Sequence, residues 1–100
     1  MVKHVILWTL KTDISCEEKE KIKNEIKSSL EGLAGKIPGL SEIKVNINPL
    51  PSSNAELMLD STFENEEALK CYATYPLHIA IANEKVLPYT ATRSCMDYTV

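Results

Sequence analysis

Lys3-His4-Val5-Ile6-Leu7-Trp8-Thr9-Leu10 carries apolar side chains on both of its faces. Val, Ile and Trp fit a pleated strand. His4, Ile6, Trp8 and Leu10 alternate to one side, and Val5, Leu7 and Thr9 to the other. A strand with one wet face alternates more cleanly than this. The segment is therefore expected at the centre of a sheet that is covered on both sides.

Outward from this strand, Ser15 with Glu18 three residues on fits a helix capping box. Glu17 and Glu18 suit the positive end of the helix dipole. Ile22, Ile26, Leu30 and Leu33 then make one apolar stripe at helical spacing, with Lys and Glu on the solvated remainder. Gly32, Gly35 and Pro38-Gly39 end the helix. Ser41 to Ile47 alternates cleanly and reads as a half-exposed strand near an edge. Asn48 to Asn54 is a loop, and Ala55 to Phe63 a third strand.

Asn65 can cap a second helix whose apolar side is Ala68, Leu69 and Tyr72. Pro76 breaks that pattern and suits the first turn of a further helical segment, about Leu77 to Val86. Leu77, Ala80, Ile81 and Leu87 are expected to face inward there. Pro88 stops it, and Thr92 to Val100 closes the order as a fourth strand. The order is β-α-β-β-α-β with the second helix split. This predicts an α+β, ferredoxin-like fold with a four-stranded antiparallel sheet. Helices cover one face of such a sheet. The other would present Val5, Leu7, Met58, Met96 and Tyr98 to water, and a patch of that kind usually marks an interface. A homodimer closed through the open sheet face is expected.

Composition narrows the partners. One hundred residues suit a single domain, residues 1–100. Eleven basic against fourteen acidic residues give a net charge of −3, the reverse of a nucleic-acid module. No segment approaches the roughly 18 apolar residues of a membrane span, and Val5 to Trp8 is too short for a signal-peptide core. Cys16, Cys71 and Cys95 are odd in number and form no C-x-x-C, which reads as reduced thiols in a cytoplasmic protein. Cys71 reads as a small core filler.

The two histidines, His4 and His78, and the nearby phenol of Tyr72 are the candidate chemistry. His4 starts the first strand; His78 follows the helix break, with Tyr72 and Tyr75 before it. A neutral His accepts a proton near pH 7, and a Tyr hydroxyl can bond a developing enolate oxygen. The same residues also serve as satisfied core groups. Histidines this far apart lack a ligand spacing such as H-x-x-x-H, so neither a metal nor a cofactor is expected.

The opening Lys3 to Lys11 resembles the first strand of the stress-responsive α/β-barrel (Dabb) family. So do Thr62-Phe63-Glu64-Asn65 followed by Ala68-Leu69 and Tyr72, the Pro38-Gly39 turn and the closing Met96-Asp97-Tyr98. The family's Tyr-x-x-His-Pro-x-His pattern stands here as Tyr72-Ala73-Thr74-Tyr75-Pro76-Leu77-His78. The resemblance spans nearly the whole chain and implies a subunit that pairs into a dimeric α/β barrel. It also implies a role for His78 as base and Tyr72 as substrate-holding hydroxyl, as in a plant branch of polyketide cyclases, with His4 lining the pocket. Tyr75 departs from the pattern where the family has His. Leu57 and Ile26 likewise stand where the cyclases have a pocket His and Tyr. Some family members hold magnesium through backbone oxygens.

Three functions are consistent with these residues. The first is binding of a small apolar or carbonyl-containing molecule in a helix-covered pocket lined by His4, Ile6, Trp8, Leu57, Leu59, Tyr72 and His78. The second is cofactor-independent acid–base catalysis by His78 with Tyr72. The third is a structural dimer without a ligand.

Overall fold

The computed structural model describes all 100 residues. The alternating segments pair as β1 (Val2–Leu10), β2 (Leu40–Asn46), β3 (Leu57–Phe63) and β4 (Thr90–Thr99). They form one antiparallel sheet in the order β2-β3-β1-β4. The doubly apolar β1 is an interior strand, and the cleanly alternating β2 is an edge. Together with α1 (Cys16–Glu31), α2 (Glu66–Thr74) and α3 (Pro76–Ile81) this is the ferredoxin-like α+β fold, its second helix divided at Pro76. Strand ends differ from the expected ones by one or two residues. Ala55 and Glu56 stay outside β3, where the Glu56 carboxylate instead accepts the Leu10 N–H at 3.0 Å.

Local chemistry sets the helix starts. Ser15 Oγ accepts the Glu18 N–H at 3.2 Å, and Asn65 Oδ1 accepts the Ala68 N–H at 2.8 Å. The α1 stripe of Ile22, Ile26 and Leu30 packs with Leu33 onto Val45, Leu59 and Phe63, the heart of the core. Gly39 has φ 81°, and a Cβ there would lie 2.4 Å from the Ala68 Cβ, so the turn into β2 admits only glycine this close to α2.

The segment after Pro76 corrects the expected inward face. Leu77 is 46% and Leu87 57% exposed, Ala80 is exposed too, and Ile81 is half-buried. The α-helix ends at Ile81 and continues as a π-turn over Ala82–Val86, closed by the Leu87 N–H on the Ala82 carbonyl at 2.9 Å. The wider turn shifts the helical phase and delivers Val86 to the core instead. Cys71 is likewise exposed, on the outward side of α2, and is not a core filler.

The two sheet edges differ. On β2, the Val45 N–H donates to Glu31 Oε2 at 2.9 Å and its carbonyl accepts Lys27 Nζ at 2.7 Å, so α1 side chains blunt that edge. No side-chain hydrogen bond reaches the β4 backbone. The helix-free face carries Val5, Leu7, Met58, Met96 and Tyr98, with Met96 66% exposed. The second strand adds only polar residues to this face, Glu42, Lys44 and Asn46. Beside the apolar strip Lys3 Nζ pairs with Asp60 at 2.6 Å and donates to Thr62 Oγ1 at 3.0 Å.

Candidate functional site

β4 pairs with β1 so that His4 faces Asp97, Ile6 faces Cys95 and Trp8 faces Arg93. Because side chains alternate, Arg93, Cys95 and Asp97 all stand on the helix side of β4. The helices cover β3 and β1 but stop short of β4. A cleft of about 600 Å³ remains between that strand and α2. One wall is Glu66, Leu69, Lys70 and Ala73, a single face of α2 at helical spacing; the other is the Arg93–Asp97 ladder, with His4 at the base.

His4 is buried, and its Nδ1 is hydrogen-bonded to the Asp97 carboxylate. That contact puts the Nδ1 proton toward the carboxylate and turns Nε2 away from it. Its own carbonyl accepts the buried Ser61 hydroxyl at 2.9 Å. The ring also meets Tyr72 edge-on, centroids 6.0 Å apart, and Tyr72 in turn lies 4.1 Å from the His78 ring. Strand, helix and post-proline turn thus bring His4, Tyr72 and His78 into one contiguous group.

Two atoms of that group are unusual. Tyr72 Oη and His78 Nδ1 are buried and make no hydrogen bond. Burial pushes the Tyr72 phenol well above its usual value, so it remains a proton donor. Burial and then the charge of His4 hold His78 below the ordinary histidine value, with a lesser part from Arg93 and against opposing pulls from the Ala73 and Tyr72 carbonyls. The imidazole is therefore neutral at pH 7, with one of its two ring nitrogens able to accept a proton.

Ile6, Trp8, Leu57 and Leu59 belong to the packed core and border no part of this cleft. Their side chains are filled against by Ile22, Ile26 and Leu30, so the helix-covered space beneath α1 is occupied by the protein itself. Of the pocket lining expected from sequence, His4 forms the cleft base, with Tyr72 and half-buried His78 behind it.

Arg93, Cys95, Asp97 and Lys70 join the site only in three dimensions. Their signal in the sequence is faint: the period-two spacing of residues 93, 95 and 97, which acquires meaning once β4 is in register with His4. His4, Cys95 and Asp97 bring nitrogen, sulfur and oxygen donor atoms within 4.8 Å of one another. Cys95 Sγ lies 3.8 Å from His4 Nδ1 and donates to Asp97 Oδ1 at 3.6 Å. Burial and the Asp97 carboxylate push this thiol up, so it stays protonated and acts as a hydrogen-bond donor.

A four-stranded antiparallel sheet with helices on one face and a cleft along the β4 side defines a ferredoxin-like α+β protein. The family model of the stress responsive A/B barrel domain matches residues 2–100, and the chain belongs to this family. A dimeric protein of ferredoxin-like fold from Bacteroides fragilis is 35% identical, with 99% of this chain and 95% of that chain covered and a TM-score of 0.90. A dimeric ferredoxin-like protein from Thermobifida fusca is 17% identical over 99% of this chain and 90% of that chain, TM-score 0.78. The hydroxynitrile lyase of Passiflora edulis has the same fold at 17% identity, 99% and 92% coverage and a TM-score of 0.74. No curated protein matches. No helix is long and apolar enough to cross a membrane.

Proposed function

We propose that the chain binds a small organic molecule bearing a carbonyl group in the cleft between α2 and β4. One observation carries the reading: Tyr72 Oη and His78 Nδ1 are left without partners in the ring cluster behind His4, the residue at the base of a cleft of about 600 Å³. Buried polar groups are nearly always hydrogen-bonded, and leaving one unpaired costs about 1–3 kcal/mol. A pair kept free behind the base of a cleft of ligand size is suited to the oxygen atoms of a ligand that reaches past His4. Leu69 and Ala73 supply apolar wall for its hydrocarbon part.

The test uses benzylacetone, a neutral aryl-alkyl ketone, titrated into the protein and followed by NMR shifts of α2 and β4. Tyr72→Phe is expected to weaken binding about tenfold, the worth of one buried hydrogen bond. The same substitution is expected to leave the melting temperature unchanged or raised, because it deletes a buried hydroxyl with no partner. A marked fall in melting temperature with unchanged affinity would assign that hydroxyl a structural role instead.

A second reading follows from the neutral state of His78. With a ketone held by the Tyr72 hydroxyl, His78 Nδ1 takes a proton from the carbon next to the carbonyl. The C–H electron pair becomes the C=C bond of an enolate, whose oxygen is stabilised by Tyr72. No cofactor enters this step.

The chain is further proposed to act as a single domain in a cytoplasmic homodimer, closed through Val5, Leu7, Met58, Met96 and Tyr98. The dimeric relatives and the apolar strip on the helix-free face support the pairing. Three free cysteines fit a reducing compartment.

A further inference from the structure

We infer that the ligand of the α2–β4 cleft is a keto acid, its carboxylate held by Arg93 with Lys70 alongside; this rests on the cleft being the binding site proposed above. Arg93 is the only arginine of the chain. It stands on the cleft wall, and neither it nor Lys70 enters any ion pair of the protein, although five other basic side chains do. The guanidinium fork is the side chain best shaped for two parallel bonds to a carboxylate, and its weak hydration suits a partly enclosed site.

The cleft is also ordered in charge along its length. Its two carboxylates lie away from Arg93. Asp97 sits four residues further along β4, about 13 Å at strand rise, and is already bonded to His4. Glu66 opens α2, three residues after Phe63, the β3 partner of Val2, and so belongs to the Val2–Thr99 end. α2 runs from there toward His78, and the Arg93 charge is felt at that histidine. A carboxylate on Arg93 leaves the remaining carbon chain to lie along Leu69 and Ala73, toward His4 and Tyr72. A carbonyl next to the carboxylate then faces the cleft base, behind which the unpartnered Tyr72 hydroxyl lies. The positive charge also steers an anion to this end and favours negative charge developing on the bound carbonyl oxygen.

Benzylpyruvate, in which a carboxylate replaces the methyl group of benzylacetone, and its neutral methyl ester are the probes. The acid is expected to bind the wild type about ten- to a hundredfold more tightly than the ester, the range for a charge-assisted pair. Arg93→Gln should remove that preference, and Arg93→Lys should restore part of it. Added salt should weaken the acid alone. Equal affinities of acid and ester, or an Arg93→Gln protein that keeps the preference, would overturn the keto-acid assignment and leave the carbonyl-binding cleft standing. If neither probe nor benzylacetone shifts the cleft resonances, both readings fall. Arg93 is exposed on an edge strand, and a thermal melt of Arg93→Gln equal to the wild type certifies the comparison.

Discussion

A chain carrying Leu7→Asp and Met96→Asp is expected to sediment as a monomer at micromolar concentration, where the wild type sediments as a dimer. Both residues stand on the helix-free face, Leu7 39% and Met96 66% exposed in the single chain. In a two-fold pair the same patch meets itself, so two substitutions confront the interface with four carboxylates. Each loses the apolar burial of a large side chain, about 1.5–3 kcal/mol, and adds the cost of a desolvated like charge. The combined effect should raise the dissociation constant by about a thousandfold or more. Neither residue touches the core cluster, so the monomer should keep its far-ultraviolet dichroism. A variant that remains dimeric would move the interface elsewhere, with the unblunted β4 edge the first place to look.

The second large effect concerns proton transfer. His78→Gln is expected to slow deuterium exchange at the carbon next to the benzylacetone carbonyl by about 10²–10⁴-fold, the usual contribution of a positioned base. The wild-type rate should be flat at neutral pH and fall on the acid side at a pH below about 6.5, the ordinary histidine value. The direction follows from the burial and the neighbouring charges of His4 and Arg93 that hold the His78 value down. Stability carries the same signature. With its folded value depressed, His78 takes up its proton in the unfolded chain first. Its neutral burial therefore favours the folded state above about pH 6.5, and that advantage is lost as pH falls toward the folded value. His78→Gln should flatten this part of a stability–pH curve. Equal exchange rates in the two proteins at every pH, with benzylacetone still bound, would leave a binding protein and remove the enzymatic reading.

Local rules made most of the architecture legible. Ser15 and Asn65 are caps whose bonding follows from side-chain chemistry within three residues, and the α1 stripe is a matter of period. The doubly apolar β1 is interior, between β3 and β4, with His4, Ile6, Trp8 and Leu10 under the helices and Val5 and Leu7 on the helix-free face. Where the reading of Leu87 departed from the structure, the cause is a π-turn; Leu77 precedes that turn and is exposed in the first turn of α3. One wider turn changes helical phase, and the packing that stabilises it, Val86 against the core, is not local. The expected pocket failed to include the cleft for a similar reason. Ile6, Trp8, Leu57 and Leu59 share a face with His4, but α1 fills the space above them.

The sequence by itself determined the order of elements, the faces of each strand, the capped helix starts and the three residues His4, Tyr72 and His78 as candidates. These depend on short-range sterics and on periodicity, which act within a few residues of chain. The tertiary structure alone decided that His4 meets Asp97, that Arg93 and Cys95 share its wall, and that Tyr72 Oη and His78 Nδ1 have no partner. Those facts depend on the register of β4 against β1, 93 residues apart at His4 and Asp97, and on how far the helices reach across the sheet. Register is a property of the whole packed sheet, because a slip of one residue would turn Arg93, Cys95 and Asp97 to the opposite face.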